Sequence, residues 1–187
     1  MALIATHPDV ESRVHDEVDR VLADGAPAHE HLDELPYLGR VVAETLRLYS
    51  SGWILTRTTT HTTELGGARL PAGTLIGFST SAIHRDSVCF PDPERFDPDR
   101  FDPDRWAQAP DRTTYMPFGA GPRKCIDDRL ALAQATVVLA TITDRARLIP
   151  VNRNPLRPRP AMLLRRRRVT MKVALRRPGE PTADRTT

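Results

Sequence analysis

The segment that most restricts the fold of this chain is Pro117-Phe-Gly-Ala-Gly-Pro-Arg-Lys-Cys125, which runs directly into a predicted helix. Its two glycines and two prolines define a tight loop whose backbone can approach a ligand closely. A cysteine between such a loop and a helix start meets unpaired N–H groups and the positive end of the helix dipole, and both favour a thiolate. Arg123 and Lys124 add positive charge nearby. The pattern therefore predicts a nucleophile or a metal ligand at Cys125.

Other assignments of this segment have less support. A cysteine nucleophile requires a general base, and no histidine follows His84 in the sequence. A zinc site requires paired cysteine or histidine ligands, but Cys89 is distant in the sequence and the His-Glu-His run at residues 29–31 is interpreted as a solvated loop cluster. A phosphate-binding loop would continue with Gly-Lys-Ser/Thr, which is absent here.

Hydrophobic periodicity of three and four residues predicts three main helices, and alternating threonine and apolar residues predict short strands between them. The predicted fold class is mainly α with small β-sheets (α+β). The predicted segments are helices at 8–22 and 38–49, a β region at 53–79, a proline-rich meander at 86–117, the cysteine loop at 117–125, a helix at 126–145, a β tail at 148–176 and a disordered end at 177–187.

Composition limits the classes of function. No run approaches the roughly 18 apolar residues of a membrane-spanning helix, and the N-terminus lacks the pattern of a signal peptide, so we predict a cytoplasmic protein without a membrane partner. The net charge is +3, with 13 basic and 2 acidic residues from Arg145 onward. The arginine run at 165–168 raises the hypothesis of a nucleic-acid binder, but a solvated basic edge is favoured, since no aromatic residue follows Phe118.

The spacing Phe118-Gly119-x-Gly121-x-Arg123-x-Cys125, followed by Leu-Ala, resembles the haem-binding loop of the cytochrome P450 family. In that family a cysteine thiolate is the axial ligand of haem iron and favours O–O cleavage. The resemblance implies haem b (iron protoporphyrin IX) as cofactor and Cys125 as its iron ligand and catalytic residue. It further implies that Arg123 pairs with a haem propionate and that Phe118 lies against the ring, with Gly119 and Gly121 shaping the loop.

Three other stretches carry the same resemblance. Glu44-Thr-Leu-Arg47 is similar to the family's Glu-x-x-Arg helix, and Pro93-Glu-Arg-Phe96 is similar to the motif whose arginine joins that pair. The resemblance therefore implies a buried structural network of Glu44, Arg47 and Arg95 beneath the haem. The strand segment Trp53-Ile54-Leu55-Thr-Arg57 looks like the lining of the substrate pocket, with Arg57 at the position that contacts the other propionate.

These stretches imply the C-terminal portion of the cytochrome P450 fold, incomplete, as one partial domain over residues 1–187. They are most similar to actinobacterial terpenoid-oxidising members. The implied function is a monooxygenase that inserts one oxygen atom from O2 into a small apolar substrate, using a redox partner such as ferredoxin with its reductase. A missing N-terminal P450 portion is expected to complete the fold. The alternative is a non-catalytic remnant or binding protein without stable haem.

The sequence also departs from the family pattern at several places. Asp127 stands where the family usually has glycine, Gln134 where glutamate is common, and Ser50-Ser51 where Pro-Pro is common. A glycine at position 127 would let the helix approach the porphyrin, so a carboxylate there is expected to crowd it and to add negative charge near the thiolate.

Overall fold

The computed structural model describes residues 1–23, 25–109, 112–151, 158–159, 165–166 and 169–176. The helices are α1 (Ala2–Thr6), α2 (Pro8–Val21), α3 (Pro36–Leu48), α4 (Thr80–Ile83), α5 (Pro103–Ala107) and α6 (Asp128–Arg145). The strands are β1 (Leu55–Thr58), β2 (Thr63–Leu65), β3 (Ala68–Leu70), β4 (Leu75–Phe78), β5 (Ala146–Pro150), β6 (Pro158–Arg159), β7 (Arg165–Arg166) and β8 (Met171–Leu175). Short 3₁₀ helices lie at His29–Glu34, Pro98–Phe101, Arg112–Thr114 and Gly121–Arg123. The predicted class, mainly α with small β-sheets, is confirmed.

Local chemistry explains where the long helices begin. Both α2 and α3 have proline in the first turn, where a missing N–H costs nothing. The carboxylate of Glu17 on α2 accepts hydrogen bonds from the N–H groups of Tyr37 and Leu38, each at 2.8 Å. Glu17 therefore caps the start of α3 and fixes the packing of the two helices. The helix predicted at 126–145 begins two residues later, at Asp128.

The strands form four antiparallel pairs. β1 pairs with β4, and the hairpin of β2 and β3 lies between them in the sequence, turning at Gly66 and Gly67 with φ angles of 57° and 78°. Left-handed φ at both central positions is typical of a two-residue hairpin turn. β5 pairs with β8, and β5 begins two residues before the predicted β tail at 148–176. The predicted disordered end at 177–187 lies outside the described residues, and the side chains of the arginine run at 165–168 are likewise not described.

The proline-rich meander is more regular than the sequence predicted. Its two Phe-Asp-Pro-Asp-Arg runs form the 3₁₀ helix Pro98–Phe101 and helix α5. In each run the proline follows an aspartate and opens the helical turn, and Asp102 accepts a hydrogen bond from the N–H of Asp104. The duplication is therefore a pair of consecutive helical turns.

The hydrophobic core lies between α1, α2, α3 and one side of α6. Helix α3 is central to it, with α6 against one side and the 3₁₀ helix Pro98–Phe101 against another. This position buries its polar residues Glu44 and Arg47 completely. Across the described parts of the chain, every helix is too short or too polar to cross a membrane.

Candidate active site

The centre of the candidate site is a buried ion pair on α3. Glu44 and Arg47 are three residues apart and therefore share one helix face, and both side chains are 0% exposed. Arg47 Nε donates to Glu44 Oε2 at 2.7 Å, and a second guanidinium nitrogen donates to Oε1 at 2.9 Å. Such a two-pronged pair satisfies both charges at once, as burial requires. The structure thus brings these two predicted residues together.

The remaining donors of Arg47 bind the backbone of distant segments. They reach the carbonyl oxygens of His84 at 2.6 Å and of Arg95 at 3.2 Å, and the N–H of Asp97 donates to Glu44 at 3.0 Å. The pair therefore fastens α3 to the segment after α4 and to the meander.

The predicted role of the Arg95 side chain is wrong. Arg95 is exposed, and the part of it that joins the network is its backbone carbonyl. The third arginine is Arg100, five residues later, which is 5% exposed and has its Nε 3.6 Å from Glu44 Oε1. Its terminal nitrogens donate to the carbonyl oxygens of Pro91 at 2.7 Å and Asp92 at 3.2 Å. Burial lowers the pKa of Arg100.

His84, which sequence reasoning left without a role, lies fully buried beside this network. Its Nδ1 is 3.1 Å from the carbonyl oxygen of Arg47, and its Nε2 is 3.0 Å from the N–H of Met116. Because Nε2 accepts, the network assigns the proton of the neutral ring to Nδ1. Desolvation lowers the pKa of His84 to about 4, which keeps the ring neutral near pH 7.

The cysteine loop is shaped by backbone hydrogen bonds. The N–H of Gly119 donates to Met116, that of Lys124 to Gly121, and that of Cys125 to Phe118, each at 3.0 Å. Gly119 and Gly121 have φ angles of 77° and 72°, a region that favours glycine. These bonds close the loop without using the side chains.

The predicted site residues of the loop differ in exposure. Cys125, Arg123 and Gly121 are exposed, Phe118 is half-buried, and Gly119 is buried. Helix α6 begins three residues after Cys125 rather than directly after it, so the thiol is farther from the helix terminus than the sequence suggested. Over the described residues, no group of three histidine, cysteine, aspartate or glutamate side chains could hold a metal ion.

The strand segment lies beside this loop. Leu55 is half-buried, and its Cδ1 lies 3.4 Å from where a Cβ of residue 119 would stand. Ile54 is 42% exposed, while the carbonyl of Trp53 accepts the hydroxyl of Ser79 at 2.9 Å. Arg57 is exposed and donates to the carbonyl of its neighbour Thr56 at 2.8 Å.

The residues present fit the haem group that the resemblance implies. Gly119 has a φ of 77° and carries no side chain, so the backbone of the loop can approach a flat ligand closely at this position. An exposed thiol is a suitable iron ligand, and the exposed guanidinium groups of Arg57 and Arg123 are suitable partners for carboxylates. Ile126, 92% exposed, adds apolar surface next to the thiol.

Sequence reasoning missed four contributors: Arg100, His84, Ser50 and Tyr115. An acidic residue, arginine and phenylalanine follow one another both at 94–96 and at 99–101, and this was a visible signal for Arg100, since it offered two equivalent candidates. The other three act through hydrogen bonds between segments far apart in the sequence, and no local pattern indicates them.

The sequence of this chain is similar to those of known proteins. A family model described as Cytochrome P450 matches residues 1–173. A cyclooctat-9-en-7-ol 5-monooxygenase from Streptomyces melanosporofaciens is 48% identical over 149 residues, covering 80% of this chain and 32% of the relative. A pentalenene oxygenase from Streptomyces avermitilis is 41% identical over 188 residues, covering 95% of this chain and 40% of the relative.

A solved structure shows the same backbone arrangement. The crystal structure of cytochrome P450DA heme domain matches with a TM-score of 0.88 and 26% identity, covering 100% of this chain and 42% of that one. The chain thus spans less than half the length of the relatives and of the structure that it matches.

Proposed function

Because this chain belongs to the cytochrome P450 family, we propose that it is the C-terminal portion of a haem-thiolate monooxygenase in which Cys125 binds the haem iron. The observation that carries the proposal is the exposed thiol on a glycine-shaped loop that is closed by its own backbone bonds. Haem b is the proposed cofactor. When bound, a thiolate-ligated haem iron supplies the activation of O2.

The side chains have separate proposed tasks. Cys125 supplies the thiolate, Arg123 and Arg57 bind the propionate groups, and Gly119 and Gly121 allow the loop to lie close to the ring. Phe118 shields the sulfur from water. The exposure of both arginines supports this assignment, because each guanidinium is accessible to a ligand carboxylate.

The proposed substrate is small, apolar and of the terpenoid class. Ile54 and Leu55 offer apolar surface beside the loop, and Trp53 is half-buried next to them. The names of the relatives, a cyclooctat-9-en-7-ol 5-monooxygenase and a pentalenene oxygenase, support that class. We also propose a cytoplasmic location, a ferredoxin with its reductase as electron donor, and an N-terminal P450 portion that completes the pocket.

The test is spectroscopic. The 187-residue chain is supplied with haem, reduced and exposed to carbon monoxide, and the expected result is the red-shifted Soret band of thiolate-ligated iron. Cys125→Ser should abolish that band. Cys89→Ser, which changes the half-buried second cysteine, is the matched control and should retain it.

The variant Asp127→Gly tests whether haem binding at the cysteine loop is weakened or absent. The variant restores the residue usual in the family and should increase haem retention, because a carboxylate next to the thiolate disfavours its charge. If neither the wild-type chain nor Asp127→Gly shows the band, the chain is a remnant without stable haem and the proposal is wrong.

A further inference from the structure

Residues 115–117, which lead into the cysteine loop, are each hydrogen-bonded to α3 or to residues close to it. The hydroxyl of Tyr115 donates to the carbonyl of Ala43, and that of Ser50 donates to the carbonyl of Pro117, both at 3.0 Å. Between them, the N–H of Met116 donates to His84 Nε2 at 3.0 Å. We call these three bonds the clamp.

The clamp continues into the loop itself through Met116. Its N–H is held by His84, and its carbonyl accepts the hydrogen bond from Gly119 that starts the loop. The next closing bond runs from the N–H of Cys125 to the carbonyl of Phe118. A chain of bonds therefore connects the end of α3 to the cysteine backbone.

His84 is itself fixed at both ends. Its Nδ1 contacts the carbonyl of Arg47, and the Arg47 guanidinium binds the carbonyl of His84. These reciprocal bonds hold the His84 ring in a fixed position relative to the buried ion pair, so the ring has little freedom to move.

Ser50 acts at the other side of Met116. It lies two residues after the end of α3 and is 2% exposed, and its hydroxyl donates to the carbonyl of the half-buried Pro117. Removal of that hydroxyl would leave a partly buried carbonyl without this donor, which costs free energy. Its neighbour Ser51 is exposed and provides a natural control.

We propose that Ser50 and His84 are positioning residues for the cysteine loop, which set where Cys125 stands relative to the Glu44–Arg47 pair. The consequence of this positioning for iron binding rests on the function proposed above. The three bonds of the clamp themselves involve only residues of this chain and do not depend on a ligand. Neither residue touches the sulfur, so both act through the backbone of residues 116–125.

The first test measures amide hydrogen exchange in the haem-free 187-residue chain. Removing one net hydrogen bond in Ser50→Ala should speed local exchange at Gly119 and Cys125 about fivefold. Exchange in α2 should stay unchanged, and Ser51→Ala should leave the loop as in the wild type. Equal exchange at Gly119 and Cys125 in the two serine variants would overturn the role of Ser50.

The second test separates the two bonds of His84. In His84→Gln the amide oxygen can still accept from Met116, whereas in His84→Asn the shorter amide retains a donor for Arg47 but lacks the reach to Met116. The loop amides should therefore exchange faster in the asparagine variant than in the glutamine variant. Equal rates in the loop would show that the bond to Met116 does not position it.

The third test uses the haem-loaded chain. Ser50→Ala should lose the thiolate-type Soret band faster than Ser51→Ala on standing, because a looser loop lets the sulfur leave the iron. Identical decay would contradict the positioning role. A wild-type chain that never shows the band overturns the proposed haem binding instead, and the exchange rates then decide the clamp alone.

Discussion

The network around Glu44 and the loop that carries Cys125 are built in opposite ways. In the network, the charged side chains of Glu44 and Arg47 are 0% exposed and bind one another and the backbone of two other segments. In the loop, the backbone closes on itself, and the side chains of Arg123 and Cys125 are left exposed. One region uses its side chains for stability, and the other keeps them available for a ligand.

The difference teaches where substitutions should matter for folding. A buried charge that loses its partner is costly, whereas an exposed side chain can change without loss of stability. Ile126 at 92% exposure and Arg47 at 0% are the two extremes. The unfolding free energy should therefore depend on the network, and ligand binding on the loop.

The largest effect is expected for Arg47→Met, which leaves the Glu44 carboxylate buried without its main partner. The loss in unfolding free energy should be about 3–5 kcal/mol, measured by chemical denaturation. Arg105→Met is the control, because Arg105 pairs with Asp97 at 2.9 Å but is 54% exposed, and its loss should be below about 1 kcal/mol. Similar losses of unfolding free energy in both variants would show that the buried and the exposed ion pair do not differ in their contribution to stability.

The next effect is a pH dependence that originates in the network. Burial lowers the pKa of His84 to about 4, with Arg47 and Arg85 acting in the same direction, while its backbone hydrogen bonds to Arg47 and Thr114 raise it. The unfolded chain takes up this proton below about pH 6.5, whereas the folded chain does so only near pH 4, so stability is lost as the pH falls through this interval.

The contribution of His84 to that loss should reach about 3 kcal/mol between pH 7 and pH 4. Denaturation curves of the wild type and His84→Gln at several pH values measure it. The variant starts less stable but should lose less on acidification, and parallel pH profiles would show that His84 is not the group responsible.

The smallest effect distinguishes Arg100 from Arg95, the two arginines that lie between an acidic residue and phenylalanine. Arg100→Met removes donors from the carbonyl oxygens of Pro91 and Asp92 and should cost roughly 1–3 kcal/mol in unfolding free energy. Arg95→Met, on the exposed unit, should change it by less than about 0.5 kcal/mol. If Arg95 were the more costly position, the observed assignment of the third arginine would be wrong.

Much of the architecture was predictable because it depends on local signals. Apolar spacing of three and four residues placed α2 and α3 within two residues of their observed ends. Proline opens both helices, although the predicted start of α3 at Leu38 lay two residues after Pro36, and adjacent glycines indicated the hairpin turn between β2 and β3. The Glu44–Arg47 pair was also predictable, since a spacing of three residues places both on one helix face.

The partners of that pair were not predictable in the same way. Arg95 and Arg100 each follow an acidic residue and precede phenylalanine, so local sequence treats them alike. The 3₁₀ helix Pro98–Phe101 packs on α3, and that contact buries Arg100 and leaves Arg95 in solvent. Tertiary packing therefore decides which arginine joins the network, and the local sequence around the two arginines does not indicate it.

The sequence by itself determined the positions of α2 and α3, the glycine turns of the cysteine loop and the chemical groups that the loop carries, because backbone conformation and periodicity act over a few residues. Only the tertiary structure decided that Arg100 completes the ion-pair network and that His84 and Ser50 hold the loop. Those roles arise from hydrogen bonds and an ion pair between residues 32 to 67 positions apart, which form only when the chain is folded. For Arg100 the separation from Glu44 is 56 positions, and for His84 that from Met116 is 32.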